Sequence, residues 1–343
     1  MVHEPTMGMH HDAIVLGEAL REAIPGIQVH TLDIPWNPNL DYASPLHVSP
    51  DLQTLAPFDA VFLFEHLYGH SPLRSAKFTR KCVFVPNVEW VLPPDEAEIL
   101  YRPPDVILYK NAFSRELCEQ IPGFREVPIG TVTGWTSIDF SPGGHDAAEK
   151  SFRSFLHVKG LSDQKQSALV LETWLDHPEF PQLTVIASPH DNFHISVPLK
   201  AGANVEVIFR KLPTQELRRY QLTCGVHVYP SYAEGFGHSL NEARVCRSVL
   251  VTTGGPPMSD LVEHRETGFL VPVQDSDVTR LRRSMSYEIR ASAFSDLVEE
   301  VLAIPERKLR DIGQCARDAY LQDKKHFHAR IRETFGSSGL SPM

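Results

Sequence analysis

Two glutamates of this chain, Glu234 and Glu242, stand where a carboxylate could act on a ligand. The apolar run at 225–229 precedes them and predicts a buried strand, and the residues at 240–246 predict the start of a helix. Glu234 is therefore expected on the loop at the carboxyl end of the strand. Glu242 is expected about one turn inside the following helix.

This spacing suits a ligand that carries both phosphate and sugar. Open α/β sheets bind ligands at the carboxyl ends of their strands, and Gly235 and Gly237 let a ligand come close to the backbone. The N–H groups of a helix start attract phosphate, and a carboxylate just inside the helix can accept hydrogen bonds from a vicinal diol such as ribose. The stretch from Glu234 to Glu242 therefore predicts a sugar-nucleotide site.

The bulk composition excludes several classes of protein. The chain has 343 residues, 42% of them hydrophobic and 22% charged, which is typical of a soluble globular protein with two domains. A net charge of −10 argues against nucleic-acid binding. No apolar run is long enough to span a membrane, and no signal peptide is evident. The five cysteines form no Cys-x-x-Cys pair, so we expect reduced thiols and a cytoplasmic location.

Strand and helix patterns alternate along the whole chain. This alternation predicts an α/β fold of two facing Rossmann-like domains with parallel sheets and an interdomain cleft. The first domain is expected at 1–142 and the second at 150–317, with a helix at 318–336 returning to the first domain. Almost nothing precedes the glycine-bearing loop at 3–8, so the first strand of the first sheet is expected to be missing. Strands are predicted at 28–32, 60–64, 82–86, 106–109, 127–130, 154–158, 183–187, 205–209, 225–229, 248–252 and 268–272.

The motifs after residue 228 carry a family resemblance. Tyr229-Pro230-Ser231 is followed by Glu234-Gly235-Phe236-Gly237, then by Glu242, and finally by the strand and Gly-Gly turn at 249–256. Together they resemble the group-one glycosyltransferases, the retaining enzymes of glycosyltransferase family four, which have the GT-B fold. The resemblance runs from Phe152 to Val273, and the first half of the chain matches only in layout.

The resemblance implies a role for each matched position. Glu234 would lie beside the donor sugar, and Glu242 would hold the ribose hydroxyls. Backbone N–H groups near Gly237, His238 and Ser239 would face the sugar and the diphosphate. Lys165 matches the lysine that binds the donor phosphate, where negative charge develops as the diphosphate leaves. The family generally uses no metal, so we expect no metal and no cofactor other than the nucleoside-diphosphate sugar that serves as donor.

Three positions depart from the family pattern. Leu161 stands where a basic residue usually follows Gly160, and Lys159 or Arg210 could substitute for it. Gln166 stands where glycine often follows the lysine. Asn87 stands where related enzymes often carry a histidine that touches the donor sugar. Further candidates in the first domain, at strand ends and on the acceptor side, are His66, Tyr68, His70, Lys110, Thr136 and Ser137.

The expected activity is metal-independent transfer of a hexose-type sugar to an acceptor hydroxyl, with retention of anomeric configuration. The acceptor is expected to be a glycan, a lipid-linked molecule or a small molecule. The alternatives are a catalytically weak sugar-nucleotide-binding or assembly subunit, and a GT-B phosphorylase or epimerase. The basic run at 74–81 is expected to be a solvated helix face, the alternative being a dock for an anionic acceptor or a membrane surface. Asp275-Ser276-Asp277 is expected to cap a helix, and His227 to be a hydrogen-bonded core histidine.

Overall fold

The structure is a computed structural model that describes residues 1–3, 7–33, 50–68, 72–141, 150–160, 162–188 and 203–336. Leu161, His70 and residues 142–149, which span the boundary between the two predicted domains, lie outside these ranges. The internal contacts divide the chain into two units. Unit 1 comprises Met1–Ile138, Leu281–Ser284 and Asp323–Met343, and unit 2 comprises Asp139–Arg280 and Met285–Gln322. Within the described residues, no helix combines the length and apolar character needed to cross a membrane.

Unit 1 contains a six-stranded parallel sheet in the order β2-β1-β3-β4-β5-β6. Its strands are β1 (Val2–His3), β2 (Leu32–Asp33), β3 (Val61–Phe64), β4 (Cys82–Val85), β5 (Val106–Tyr109) and β6 (Ile129–Val132). Strands β3, β4 and β5 are buried at every position, which is why they consist almost entirely of apolar residues. The expectation that the first strand is missing is wrong, because Val2–His3 pairs with both β2 and β3.

The helices of unit 1 cover this sheet and extend its core. They are α1 (Met7–Ala23), α2 (Pro50–Thr54), α3 (Pro93–Tyr101) and α4 (Ala112–Cys118). The carboxyl-terminal part of the last helix also packs here, since Phe327 contacts the ring of Trp135 and Phe335 contacts that of Phe62.

Unit 2 contains a second parallel sheet of six strands in the order β12-β11-β10-β7-β8-β9. The chain therefore lays β7, β8 and β9 outward in one direction and β10, β11 and β12 in the other. Ligands bind such sheets where the order reverses, here between β7 and β10. The strands are β7 (Ser151–Gly160), β8 (Leu183–Ala187), β9 (Val205–Phe209), β10 (Cys224–Tyr229), β11 (Val249–Thr253) and β12 (Gly268–Val271).

Strands β7 and β10 approach each other closely at their amino ends. A Cβ atom on Gly225 would lie 2.5 Å from the carbonyl oxygen of Ser151, so only glycine fits there. The helices of unit 2 are α5 (Ser167–Asp176), α6 (Thr214–Thr223), α7 (His238–Val245), α8 (Ala291–Ala303) and α9 (Glu306–Phe335). The part of α9 from Asp323 onward belongs to unit 1. A two-stranded sheet, β13 (Val278–Leu281) and β14 (Ser284–Tyr287), precedes α8.

The core of unit 2 is centred on Trp174 of α5. Its ring contacts those of Phe155, Phe180 and Phe294 at centroid distances of 5.1, 5.5 and 6.3 Å. Aromatic side chains contribute the largest apolar areas to a core. This packing holds α5 and α8 against the sheet and so fixes the loop that leads from β7 into α5.

Candidate active site

The loop after β7 carries Lys165 to the point where the strand order reverses, and its described residues, 162–166, are called the lysine loop. Lys165 is partly buried, its Nζ donates to Ser239 Oγ at 2.6 Å, and the ammonium lies 5.0 Å from the ring centroid of Tyr229. Burial lowers the pKa of Lys165, while the negative charges of Glu234 and Glu242 oppose that shift. The site therefore holds, next to two carboxylates, a poorly solvated cation that can pair with a phosphate anion.

Gln166 follows the lysine at a position where related enzymes often carry glycine. Its backbone conformation explains this preference. Its φ and ψ of 46° and 41° lie in the left-handed region, which glycine enters without steric cost. In this chain two hydrogen bonds offset the strain: Nε2 donates to the carbonyl of Tyr287 at 3.1 Å, and Oε1 accepts from the N–H of Ile289 at 3.2 Å. The departure therefore ties the lysine loop to the end of β14.

The loop after β10 positions Glu234 beside the lysine loop. Ser231 is buried and donates from Oγ to Glu234 Oε1 at 2.7 Å, so one carboxylate oxygen has a fixed partner. Thr253 of β11 anchors Ser231 by donating to its carbonyl at 2.6 Å. The N–H of Tyr232 donates to the carbonyl of Gln164 at 2.6 Å and joins the two loops. Glu234 is thus held at the carboxyl edge of the sheet, as its place in the sequence predicts.

Helix α7 begins at this edge without a side-chain cap. Its N-cap residue is Gly237, with a φ of 86°, and a Cβ atom there would meet Leu240 Cδ1 at 3.2 Å. Because glycine offers no side-chain oxygen, no side chain of Gly237 competes for the N–H groups of the first turn, which begins with His238 and Ser239. Such a helix start attracts phosphate. The hydroxyl of Ser239 also accepts the hydrogen bond from Lys165. The N–H groups of the helix start and the ammonium of Lys165 therefore lie side by side.

Glu242 lies one turn further into α7. Its Oε2 accepts a hydrogen bond of 2.7 Å from Nε2 of Gln221 in α6. Burial raises the pKa of Glu242, and His238, Lys165, the Gln221 amide and Arg218 oppose that rise. A partly buried carboxylate on the helix turn behind the phosphate-attracting N–H groups is suitably placed for ribose hydroxyls.

The two cations proposed to replace the residue at 161 each have an acidic partner in the structure. Lys159 is buried and donates to Asp163 Oδ1 at 3.2 Å and to the carbonyl of Ser162 at 3.3 Å. Arg210 follows β9, two strands away from β7, and its exposed guanidinium makes a two-point ion pair with Glu216 at 2.5 and 3.1 Å. Lys159 and Gly160 thus lie at the end of β7, where Lys159 contacts the lysine loop, whereas no described contact brings Arg210 to that loop.

The candidates of unit 1 gather at the carboxyl edge of its sheet. Asn87 follows β4 and donates from Nδ2 to Glu65 Oε1 at 3.1 Å, and Glu65 itself follows β3. His66 Nδ1 lies 3.0 Å from Asp95 Oδ2. The remaining candidates, Tyr68, Lys110, Thr136 and Ser137, are also buried. Lys110 forms a buried ion pair of 2.5 Å with Asp12 of α1.

Two of the sequence predictions are wrong in detail. The run at 74–81 is not a helix face: a 3₁₀ turn ends at Arg74, which is buried and bonds Glu98 Oε2 at 2.7 Å. Asp277 does not cap a helix through its side chain but pairs with Arg290 at 2.9 Å. In the described residues, no group of three or more histidine, cysteine or acidic side chains is placed to hold a metal ion.

His227 is a buried core histidine, as predicted, and donates to the carbonyl of Gln221. The structure also adds residues that sequence reasoning missed. Ser231 could have been predicted as the partner of Glu234, because a serine three positions before a glutamate can donate to its carboxylate across a short turn. Gln221 could not, because it is far from Glu242 along the chain.

Comparison with known proteins gives a family match over part of the chain. A family model described as "Glycosyl transferases group 1" matches residues 189–311, which include Glu234 and Glu242. HepE from Anabaena, solved in complex with UDP and glucose, has a TM-score of 0.64 at 13% identity and covers 98% of both chains. Sucrose-phosphate synthase from Thermosynechococcus elongatus has a TM-score of 0.61 at 16% identity and covers 97% of this chain and 94% of its own.

An E. coli trehalose-6-phosphate protein bound with UDP-2-fluoro glucose has a TM-score of 0.59 at 12% identity, over 85% of this chain and 75% of its own. No curated protein sequence matches this chain at a significant level. At these identities the solved structures show the fold alone. The family model and the fold together confirm the resemblance to the group-one glycosyltransferases and their GT-B fold.

Proposed function

We propose that this group-one glycosyltransferase moves a sugar from a nucleoside-diphosphate sugar to an acceptor hydroxyl with retention of anomeric configuration. The observation that carries the proposal is the convergence of Lys165, Ser239, Glu234 and Glu242 where the strand order of unit 2 reverses. Two of the solved relatives hold UDP or a UDP-sugar analogue, which makes UDP-sugars the first donors to test.

The donor diphosphate would bind between Lys165 and the first turn of α7. The bond from the anomeric carbon to the phosphate oxygen breaks and leaves its electron pair on that oxygen. The acceptor oxygen bonds to the anomeric carbon on the same face, and its proton passes to the departing phosphate oxygen. Lys165 and the helix N–H groups stabilise the negative charge that develops on the diphosphate.

Glu234 would act on the sugar, at the anomeric carbon of the bond that breaks. Positive charge grows at the anomeric carbon as the diphosphate departs, and a fixed carboxylate stabilises that charge. The bond from Ser231 keeps the carboxylate in one orientation before the donor binds. Such preorganised charge acts mainly in the transition state.

The proposal is tested by nucleotide release and by product stereochemistry. The purified protein is incubated with UDP-, GDP- and ADP-glucose, with and without a panel of sugar acceptors. We expect one donor to be consumed faster with an acceptor, and the early product to show the donor's anomeric configuration by proton NMR. Binding without acceptor-dependent release would favour a binding or assembly subunit. An inverted anomeric signal would exclude a retaining reaction.

Glu242→Ala is expected to weaken nucleoside-diphosphate affinity roughly ten- to a hundredfold, because hydrogen bonds to a charged group are worth about 1.5–3 kcal/mol. Isothermal calorimetry with UDP measures the effect. Glu266→Ala, at an exposed site, is the control and is expected to leave the affinity unchanged. Equal affinity in a folded Glu242→Ala variant would remove Glu242 from the site.

Activity is expected to survive chelation. Lys165 and the start of α7 would supply the positive charge that divalent metals supply to the diphosphate in other transferases. Initial rates are measured after dialysis against EDTA, with and without added magnesium or manganese. Loss of turnover in EDTA with recovery on adding metal would contradict this account of the phosphate site.

A further inference from the structure

Gln221 is held at both its main chain and its side chain. It lies in the last turn of α6 and is 2% exposed. Its carbonyl accepts a hydrogen bond of 3.1 Å from Nε2 of His227 in β10, while its Nε2 donates to Glu242 Oε2 at 2.7 Å. Three elements, α6, β10 and α7, therefore meet at this one residue, β10 at its main chain and α7 at its side chain.

The anchor from His227 is constant across the pH range in which enzymes work. Burial lowers the pKa of His227 to about 3, so the ring is neutral at neutral pH. Its Nε2 must carry the proton in order to donate to a carbonyl. The main chain of Gln221 is thus fixed by a contact that does not titrate, and the amide can reach Glu242 from a fixed base.

An amide suits a carboxylate that must bind sugar hydroxyls. A cation in its place would compete with the ligand through a direct salt bridge, whereas an amide donates one hydrogen bond and leaves the negative charge in place. Fixing one oxygen also restricts rotation of the carboxylate about its terminal torsion, which is otherwise broad. Side-chain order that exists before binding costs no entropy during binding.

We infer that Gln221 is the positioning residue for Glu242, holding its carboxylate in the orientation that receives the ribose diol of the donor. The inference rests on the proposed function, since it needs a nucleotide whose ribose meets Glu242. It predicts that Gln221 acts on ribose recognition specifically, without itself touching the nucleotide.

The groups around Glu242 set the pH at which its carboxylate protonates and ribose binding is lost. His238 faces it from the start of α7, Cys246 from the residue that follows this helix, Lys165 from the lysine loop, Arg218 from α6 and Tyr229 from β10. Burial raises the pKa of Glu242, and the Gln221 amide opposes that rise. Without the amide the pKa of Glu242 rises further, so the carboxylate protonates, and ribose binding is lost, at a higher pH.

The test compares UDP with 2′-deoxy-UDP by calorimetry in wild-type protein and in Gln221→Met, which keeps the volume and removes the donor. Wild-type protein is expected to prefer UDP by about tenfold, and Gln221→Met to reduce that preference to about two- or threefold. The acidic fall of UDP affinity is expected to begin at a higher pH in the variant, because the pKa of Glu242 rises when the amide is lost. Titration of the UDP phosphates affects both proteins equally and cancels in the comparison.

Gln215→Met, on the exposed surface of the same helix, is the matched control. If Gln221→Met does not fold by circular dichroism, Gln221→Asn replaces it, because its amide is too short to reach Glu242. Equal losses for both nucleotides with an unshifted pH profile would show a merely structural role and overturn the inference. Failure of the wild-type protein to bind UDP, GDP or ADP would instead overturn the proposed function.

Discussion

Glu234→Gln is expected to lower kcat at least ~10²-fold while leaving the affinity for the nucleoside diphosphate within about threefold. The change removes the negative charge and little else. Ser231 Oγ can donate to the amide oxygen as it does to Glu234 Oε1, so the loop after β10 keeps its anchor. The lost stabilisation belongs to the transition state, where positive charge grows at the anomeric carbon, and such a loss lowers kcat more than it raises KM.

Steady-state kinetics with the best donor, together with calorimetry of UDP, measure the two quantities separately. Glu216→Gln, which breaks the exposed ion pair with Arg210, is the control for the loss of a carboxylate from the surface of the same unit. A Glu234→Gln variant with near-normal kcat would make Glu234 a structural residue of the loop. A variant that lost UDP affinity and kcat together would place Glu234 at the nucleotide.

Unit 2 could be predicted closely because its strands are rich in β-branched and aromatic residues. Strands β8 and β9 begin and end at the predicted residues, and β7 was predicted at its centre. A central parallel strand buried on both faces needs β-branched and aromatic residues throughout, so its pattern and its structure coincide. The loops that carry Lys165 and Glu234 follow from those strand ends, and for this reason their place at one sheet edge was predictable.

Unit 1 was less predictable because local preference and tertiary pairing disagree there. The run at 28–32 has strand character, yet the paired strand is only Leu32–Asp33. Val2–His3 is too short to give any periodicity and becomes a strand because β2 and β3 lie on either side of it. Helix α3 is not among the predicted elements, although Pro93 at its start and the side chain of Asp95 in its first turn are ordinary helix signals.

The internal bonds of the site could not be predicted from spacing at all. Lys165 meets Ser239 only because the fold brings the lysine loop to the start of α7, and Gln221 meets Glu242 only because it brings the end of α6 to the middle of α7. Motif spacing indicates which elements carry a functional residue. It does not indicate which neutral side chain orients it, because that depends on contacts between elements distant in the chain.

Lys165→Met is expected to lower kcat/KM by about 10²–10³-fold and to weaken UDP binding, because it removes the cation proposed to stabilise the departing diphosphate. Methionine keeps the unbranched side chain over the ring of Tyr229, where sulfur also packs well. The bond to Ser239 is lost, but the loop remains tied through Gln166 and through Tyr232. The loss should therefore be electrostatic and confined to the phosphate site.

The same variant is expected to be at least as stable as the wild-type protein. Burial lowers the pKa of Lys165, so folding penalises the ammonium, and that penalty is present at neutral pH and disappears only above the ordinary lysine pKa. Methionine carries no such penalty. Thermal unfolding monitored by circular dichroism at pH 7 should thus show an unchanged or raised Tm, while kinetics show the loss of activity, and exposed Lys211→Met should change neither. A lowered Tm that accounts for the lost activity would make Lys165 a structural residue, and full activity in the folded variant would remove it from the phosphate site.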